Sequence, residues 1–195
     1  MIKKIIAIVG MPGSGKSEVA DYFVKKGFSY IRLGQITLDE IRRRGLEPGE
    51  KNERPIREGF RKKYGMAAFA ILNFPKIDKI KNNVIVDGLY SWEEYLAFKE
   101  KYKNFVCLAV YASPKIRYER LSGRAKKHGA DPQMKFRSFS PNEAKSRDAA
   151  EIEKLNKGGP IVMADFTIIN EGAKKELVEN LDKIYRRING KEKTK

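Results

Sequence analysis

The densest chemical signal in the chain is Gly10-Met11-Pro12-Gly13-Ser14-Gly15-Lys16-Ser17. In the spacing G-x-x-x-x-G-K-[ST], glycines let several backbone N–H groups turn toward one point, where the phosphates of a nucleotide can sit. Lys16 reaches the outer phosphates, Ser17 offers a hydroxyl to Mg2+, and the helix that opens here adds the positive end of its dipole. ATP and Mg2+ are therefore the expected ligands. The motif needs a buried strand before it and an amphipathic helix after it. Both are legible: Ile5–Val9 is wholly apolar, and Val19, Ala20, Phe23 and Val24 recur at helical spacing.

The second chemical signal is Asp87, which ends the β-branched run Val84-Ile85-Val86. In a parallel sheet the carboxyl ends of neighbouring strands converge on the ligand crevice, so Asp87 is expected to bind Mg2+ directly or through water. The third is a basic segment, residues 120–147, which contains Arg120, Arg124, Lys126, Lys127, Lys135, Arg137, Lys145 and Arg147. Gly129, Asp131-Pro132 and Ser140-Pro141 interrupt it, as suits a lid that closes over phosphates and excludes water. His128 is the lone histidine and is assigned no catalytic part, and Cys107 sits in the apolar run 105–110 as a buried small hydrophobe.

The elements that position these residues follow from periodicity. Strands are expected at Ile5–Val9, Phe28–Leu33, Asn83–Asp87, Phe105–Tyr111 and Phe166–Ile169, each followed by a helical pattern. Between the second and third strands, helices are expected at Ile36–Arg44 and from Pro55 to about Leu72, the latter with a basic face of Arg54, Arg57 and Arg61. Ser91 with Glu94 three residues on reads as a capping box, with Trp92, Tyr95, Leu96 and Phe98 as packing residues. Further helices are expected at Lys115–Gly123, Asn142–Asn156 and Ala173–Ile188. Strands alternating with helices give an α/β sandwich with a parallel sheet. One P-loop domain over residues 1–190 is expected, with a helical acceptor-side insert at about 35–80, the lid at about 120–147 and a disordered basic tail at 191–195.

Composition bounds the rest. A chain of 195 residues suits one domain, and its apolar runs are far too short to cross a bilayer. The first strand begins almost at Met1, so no cleavable signal is expected and the expected location is cytoplasmic. Lys and Arg number 41 against 25 Asp and Glu, a formal charge of +16. That field suits a protein that attracts nucleotides or nucleic acid, and equally suits solvated basic helices.

Taken together, these residues resemble small P-loop kinases of the adenylate kinase and dephospho-CoA kinase type, above all a mainly archaeal, adenylate kinase-related (dephospho-CoA kinase-like) set. The resemblance rests on Gly10–Ser17 with Glu18, on Asp87-Gly88 followed by Ser91 and Glu93-Glu94, on Ala112-Ser113-Pro114-Lys115 leading to Arg120, on Arg147-Asp148, and on Ala164-Asp165 with Ile169-Asn170-Glu171-Gly172. It implies a three-layer sandwich with strand order 2-3-1-4-5. It also implies lid arginines at Arg120, Arg124 and Arg147, and a loop at Asn170–Ala173, with Gly172, lying against the nucleotide base. The chain departs from the pattern on the acceptor side: Gln35 stands where relatives carry an aspartate, Leu38 where they carry an arginine, and Tyr90 where they carry another arginine. Arg54, Arg57 and Arg61 are the candidates to take that part. Gln35 cannot accept a proton, so an alcohol acceptor would need a carboxylate such as Asp87. The expected activity is ATP-dependent phosphoryl transfer to a small nucleotide-like molecule, by a monomer or homodimer. Two alternatives stand beside it: a nucleotide-dependent assembly factor on RNA or DNA, and a kinase acting on a nucleic-acid end or modified base.

Overall fold

The computed structural model describes residues 3–123 and 139–190. Arg124, His128, most of the expected lid and the tail at 191–195 lie outside the described residues. Five parallel strands, β1 (Ile5–Val9), β2 (Ser29–Arg32), β3 (Val84–Asp87), β4 (Phe105–Tyr111) and β5 (Phe166–Ile169), form one sheet in the order β2-β3-β1-β4-β5. The expected fold and strand order are both observed.

β1 is buried along its whole length, and its alternation divides two cores. Ile6 and Ile8 pack with Val19, Ala20 and Phe23 of α1 (Lys16–Lys25) and with Leu177, Leu181 and Ile184. Those last three belong to a C-terminal helix, Lys174–Ile188. Ile5, Ala7 and Val9 face the opposite layer, with Phe69 and Ile77 of one helix and Tyr95 and Phe98 of another. A sheet covered on both faces explains why its central strand reads as a continuous apolar run. Val24 and Leu96, expected to pack, are instead 43% and 45% exposed, because each lies off the buried arc of its helix.

Between β2 and β3 run α2 (Gln35–Arg43), α3 (Glu50–Tyr64) and α4 (Ala68–Lys79). The single helix expected from Pro55 to about Leu72 is therefore two. The chain breaks at Gly65, whose φ of 76° and ψ of −177° cannot continue a helix. After β3, α5 (Trp92–Lys101) opens with the expected capping box: the Glu94 N–H donates to Ser91 Oγ at 3.1 Å, and Glu94 Oε2 accepts from the Ser91 N–H at 3.4 Å. Beyond β4 come α6 (Pro114–Ser122), α7 (Pro141–Leu155) and α8 (Gly158–Val162), then β5 and α9 (Lys174–Ile188). α8 replaces the simple stop expected at Gly158-Gly159: Asn156 adopts a left-handed conformation, φ 50°, and the chain then makes one further short helix. Cys107 is buried as expected. Among the described residues, no helix is long and apolar enough to cross a membrane.

Candidate active site

β1 lies beside β3, and the connections that leave these two strands, through α1 and α5, depart to opposite faces of the sheet and leave a crevice at the strands' carboxyl ends. The loop Gly10–Ser17 occupies that crevice. Ser14 N–H donates to Met11 O at 3.2 Å, and Lys16 Nζ curls back to donate to Gly10 O and Met11 O at 2.9 and 3.1 Å. Gly13 and Gly15 hold φ of 82° and 101°, and each also has backbone or side-chain atoms where a Cβ would sit: the Arg117 carbonyl 2.6 Å away at Gly13, the Asn170 amide at Gly15. Asn170 Nδ2 donates to Ser14 O at 2.8 Å. Its side chain thus braces the loop from β5, a part that the resemblance to known kinases did not imply. The Ser14 hydroxyl is buried with no partner among the described residues. An orphaned hydroxyl inside a cradle of backbone amides is what a phosphate-binding loop presents, so these residues fit a nucleotide's phosphates.

A second brace comes from a residue the sequence did not single out. Arg117 of α6, 4% exposed, donates through Nη1 to Pro12 O at 3.0 Å and through Nε to Ala112 O at 3.0 Å. Its guanidinium also meets Asp148 of α7 in a bidentate pair, Nη1 to Oδ1 at 2.9 Å and Nη2 to Oδ2 at 2.5 Å, and the Tyr118 hydroxyl donates to Asp148 Oδ2 at 3.0 Å. The available signal was positional: Arg117 lies four residues before the buried Leu121, on the same helical face.

Asp87 stands at the end of β3, in register with Ile8, two residues before the loop opens at Gly10. The Tyr30 hydroxyl donates to Asp87 Oδ2 at 2.8 Å. Burial and the Asp87 charge both hold the Tyr30 proton firmly, well above the usual phenol range. Ser17 and Asp87 are the oxygen donors suited to a hard divalent cation here. Glu18 forms an exposed 2.7 Å ion pair with Lys174 at the start of α9.

The basic residues after β4 sort into distinct environments. Arg120 has its Nη1 buried without a partner among the described residues. Arg147 donates through Nε to Glu151 Oε1 at 3.2 Å. Lys157, almost wholly buried, donates to Glu151 Oε2 at 2.5 Å and lies 4.9 Å from the centre of the Tyr90 ring. Burial alone would raise the Glu151 carboxyl, but Lys157, Arg147 and Lys16 together hold it down to about 2.

On the expected acceptor side, Gln35 donates to Asp39 at 3.0 Å and the face carrying Arg54, Arg57 and Arg61 is less basic than its arginines suggest. Arg54 pairs with Glu58 and Arg57 with Glu53, each four residues apart on α3. Arg61 differs: its guanidinium lies 5.0 Å from the centre of the Phe69 ring, its Nε is buried without a partner among the described residues, and burial lowers its pKa. Tyr90 folds back against Gly88, and its N–H donates to Glu94 Oε2 at 2.7 Å. The structure therefore brings Tyr90, Lys157 and Glu151 into one cluster, whereas Arg54 stays on the exposed outside of α3.

Glu94 does more than cap a helix. Burial pushes its carboxyl up from an ordinary 4.5 to about 7, against the pull of the Tyr90 and Ser91 amides, Arg61 and Lys157. A raised acid pKa means the folded state holds a proton that the unfolded state has released, so this group costs stability as pH rises from about 4.5 to 7. Glu94→Gln is expected to remove that slope while keeping an acceptor for the Tyr90 amide. Urea unfolding of both proteins at intervals from pH 4.5 to 7.5 checks it, and parallel curves would refute the assignment. Glu151 acts in a separate window: its depressed pKa contributes stability above about 4.5 that is lost as pH falls toward 2.

A phosphate-binding loop between a central strand and its helix, on a five-stranded parallel sheet in this order, defines the P-loop kinase-like fold. A family model described as AAA domain matches residues 6–140. A UPF0200 protein of Thermococcus kodakarensis is 32% identical over 185 residues, covering 92% of this chain and 95% of that one. The chain belongs to the UPF0200 family. Among solved structures, TT1252 from Thermus thermophilus superposes with a TM-score of 0.64 at 16% identity, over 100% of both chains. Shikimate kinase from Acinetobacter baumannii, in complex with shikimate, gives 0.56 at 16% identity, covering 98% of this chain and 96% of that one. At such identities the likeness shows a shared fold.

Proposed function

We propose that this protein transfers the terminal phosphoryl group of ATP to a small, nucleotide-like acceptor, such as a nucleoside, nucleotide or dephospho-CoA, in the manner of the adenylate kinase and dephospho-CoA kinase type. The observation that carries this reading is the convergence of three elements on the sheet's carboxyl end: the braced loop with Lys16, Asp87 of the neighbouring strand level with Ile8, and the cations of α6 to α8. Phosphoryl transfer asks a protein for positioning and charge stabilisation more than for covalent chemistry, and this arrangement supplies both. Residues 1–190 act as one catalytic domain, with α2–α4 as the acceptor side and residues 120–147 as the lid that carries Arg120, Arg124 and Arg147.

In this reading the loop's backbone N–H groups, which Pro12 lacks, and the Lys16 ammonium hold the phosphates, with Gly172 near the base. Ser17 and Asp87 hold Mg2+, which when bound neutralises charge on the phosphate oxygens. The bond from the terminal phosphorus to the oxygen of the ADP leaving group breaks as a bond to the acceptor oxygen forms, and where that oxygen belongs to an alcohol its proton passes to a carboxylate. Gln35 cannot take it, so Asp87 does. Tyr30 fixes the orientation of Asp87 through its hydrogen bond.

The test is to incubate the protein with ATP labelled in its terminal phosphate and, separately, nucleosides, nucleotides, dephospho-CoA and oligonucleotides. Label on one acceptor is the expected result. The charge of +16 favours including nucleic-acid ends in that set. Free phosphate alone, with salt-sensitive RNA or DNA binding near physiological ionic strength, would replace the kinase with a nucleotide-dependent assembly factor.

A further inference from the structure

Tyr90 follows the carboxyl end of β3 and is fixed at several points. Its N–H donates to Glu94 Oε2 at 2.7 Å, and the Lys157 ammonium lies 4.9 Å from the centre of its ring. The far end of the ring rests on Gly88, the residue after Asp87: a Cβ there would stand 2.9 Å from Tyr90 Cε2 and 3.0 Å from its Oη. Gly88 also holds a φ of 92°, so glycine is needed there both for the turn and for the phenol. A Cβ on Gly34, the residue that opens α2, would stand 3.8 Å from the same oxygen. The phenolic oxygen is therefore placed between the end of β3 and the first turn of α2, at the carboxyl edge of the sheet.

A ring held in this way presents its hydroxyl in one position. That hydroxyl has no hydrogen-bond partner among the described residues, although Tyr90 is half-buried. Thr37, on the first turn of α2 and only 2% exposed, likewise has a hydroxyl without a partner among the described residues. A hydroxyl both donates and accepts, and leaving one unpaired in a buried place costs free energy that a ligand's own polar group can recover. The charges around them come in both signs. Arg32 stands in register with Asp87, Arg54 and Arg57 pair with glutamates of their own helix, and the Glu94 carboxyl feels both Arg61 and Lys157. The acceptor side thus offers placed hydroxyls among matched charges, which suits a neutral polar group better than a second phosphate.

We propose that Tyr90 is a catalytic residue whose hydroxyl holds the acceptor's oxygen at Asp87, and that this oxygen belongs to an alcohol rather than to a phosphate. This rests on the phosphotransferase reading given above. Tyr90 donates its hydrogen to one lone pair of the alcohol oxygen and keeps its proton throughout. A second lone pair forms the bond to the terminal phosphorus, the bond from phosphorus to the ADP oxygen breaks, and the alcohol's proton passes to Asp87. The products are ADP and a phosphate ester.

The experiment incubates the full chain with ATP labelled in its terminal phosphate and, separately, adenosine, AMP and dephospho-CoA, then heats the labelled product briefly in dilute acid. A phosphate ester of an alcohol keeps its label through that treatment, whereas a phosphoanhydride made on another phosphate releases it. Label that stays on the acceptor is the expected result. Tyr90→Phe keeps the ring, its N–H bond and the Lys157 contact, and removes only the oxygen. It is expected to melt as the wild type does and to keep its stabilisation by ATP, while kcat/KM for the labelled acceptor falls about tenfold, the scale of one neutral hydrogen bond. Acid-labile label, or a Tyr90→Phe variant that uses the acceptor as well as the wild type does, overturns the proposal and leaves the kinase reading standing. No label on any acceptor overturns the kinase reading itself, and this proposal with it.

Discussion

Replacing Lys16 by alanine is expected to lower ATP turnover on the true acceptor by about 10²–10³-fold, the usual cost of removing one preorganised charge from a developing phosphoryl transition state. The fold should hardly notice. Lys16 donates to two carbonyls of its own loop in a part-buried setting, and the melting temperature of the variant alone is expected to stay close to that of the wild type. What it should lose is the stabilisation that ATP confers, which for the wild type grows with ligand concentration by mass action. Lys16→Arg tests the geometry separately, since a planar guanidinium keeps the charge but not the compact ammonium. Full turnover in Lys16→Ala would mean that the loop is not where phosphate binds.

The second large effect is on stability. Asp148→Ala leaves the Arg117 guanidinium buried and without its carboxylate, an exposure of uncompensated charge that costs about 3–5 kcal/mol. For a chain of this size each kcal/mol lowers the midpoint by about 2–4 °C, so a drop of roughly 6–20 °C is expected in a thermal scan. The instructive partner is Arg117→Leu/Asp148→Leu. Removing both charges should restore much of the lost stability, yet Pro12 O and Ala112 O lose their donor, and ATP should still bind poorly. A double variant that regains stability and wild-type ATP affinity would show that Arg117 only fills space.

The fold was legible because its strongest signals are local. Ile5–Val9 before a glycine-rich turn, and Ser91 three residues before Glu94, each specify their element without help from elsewhere, and the structure places both as expected. The break at Gly65 was harder: the residues on either side are good helix formers, and one glycine's backbone angle decides the matter. The site was legible by halves. The residues that would touch phosphate form a contiguous motif, whereas those that hold the motif come from distant positions and carry no spacing rule. Arg117 and Glu151 looked like ordinary surface polar residues, because burial is a property of the assembled fold, and Asn170, expected beside the nucleotide base, gave no sign that its amide reaches back to Ser14. Lys157 was hidden for the same reason, in a chain where lysine is common. The basic face of α3 was overread because its glutamates fall at the same i, i+4 positions as its arginines.

The brace from Asn170 to Ser14 spans 156 residues, and the one from Arg117 to Pro12 spans 105. On a ribosome adding about 5–20 residues per second, the phosphate loop therefore waits roughly 8–30 s for the last of its supports to be made. During that interval the loop exists as sequence without existing as a site. On the phosphotransferase reading, a nucleotide that needs the braced loop is a ligand of the nearly finished protein and a selective stabiliser of molecules that have completed the sheet.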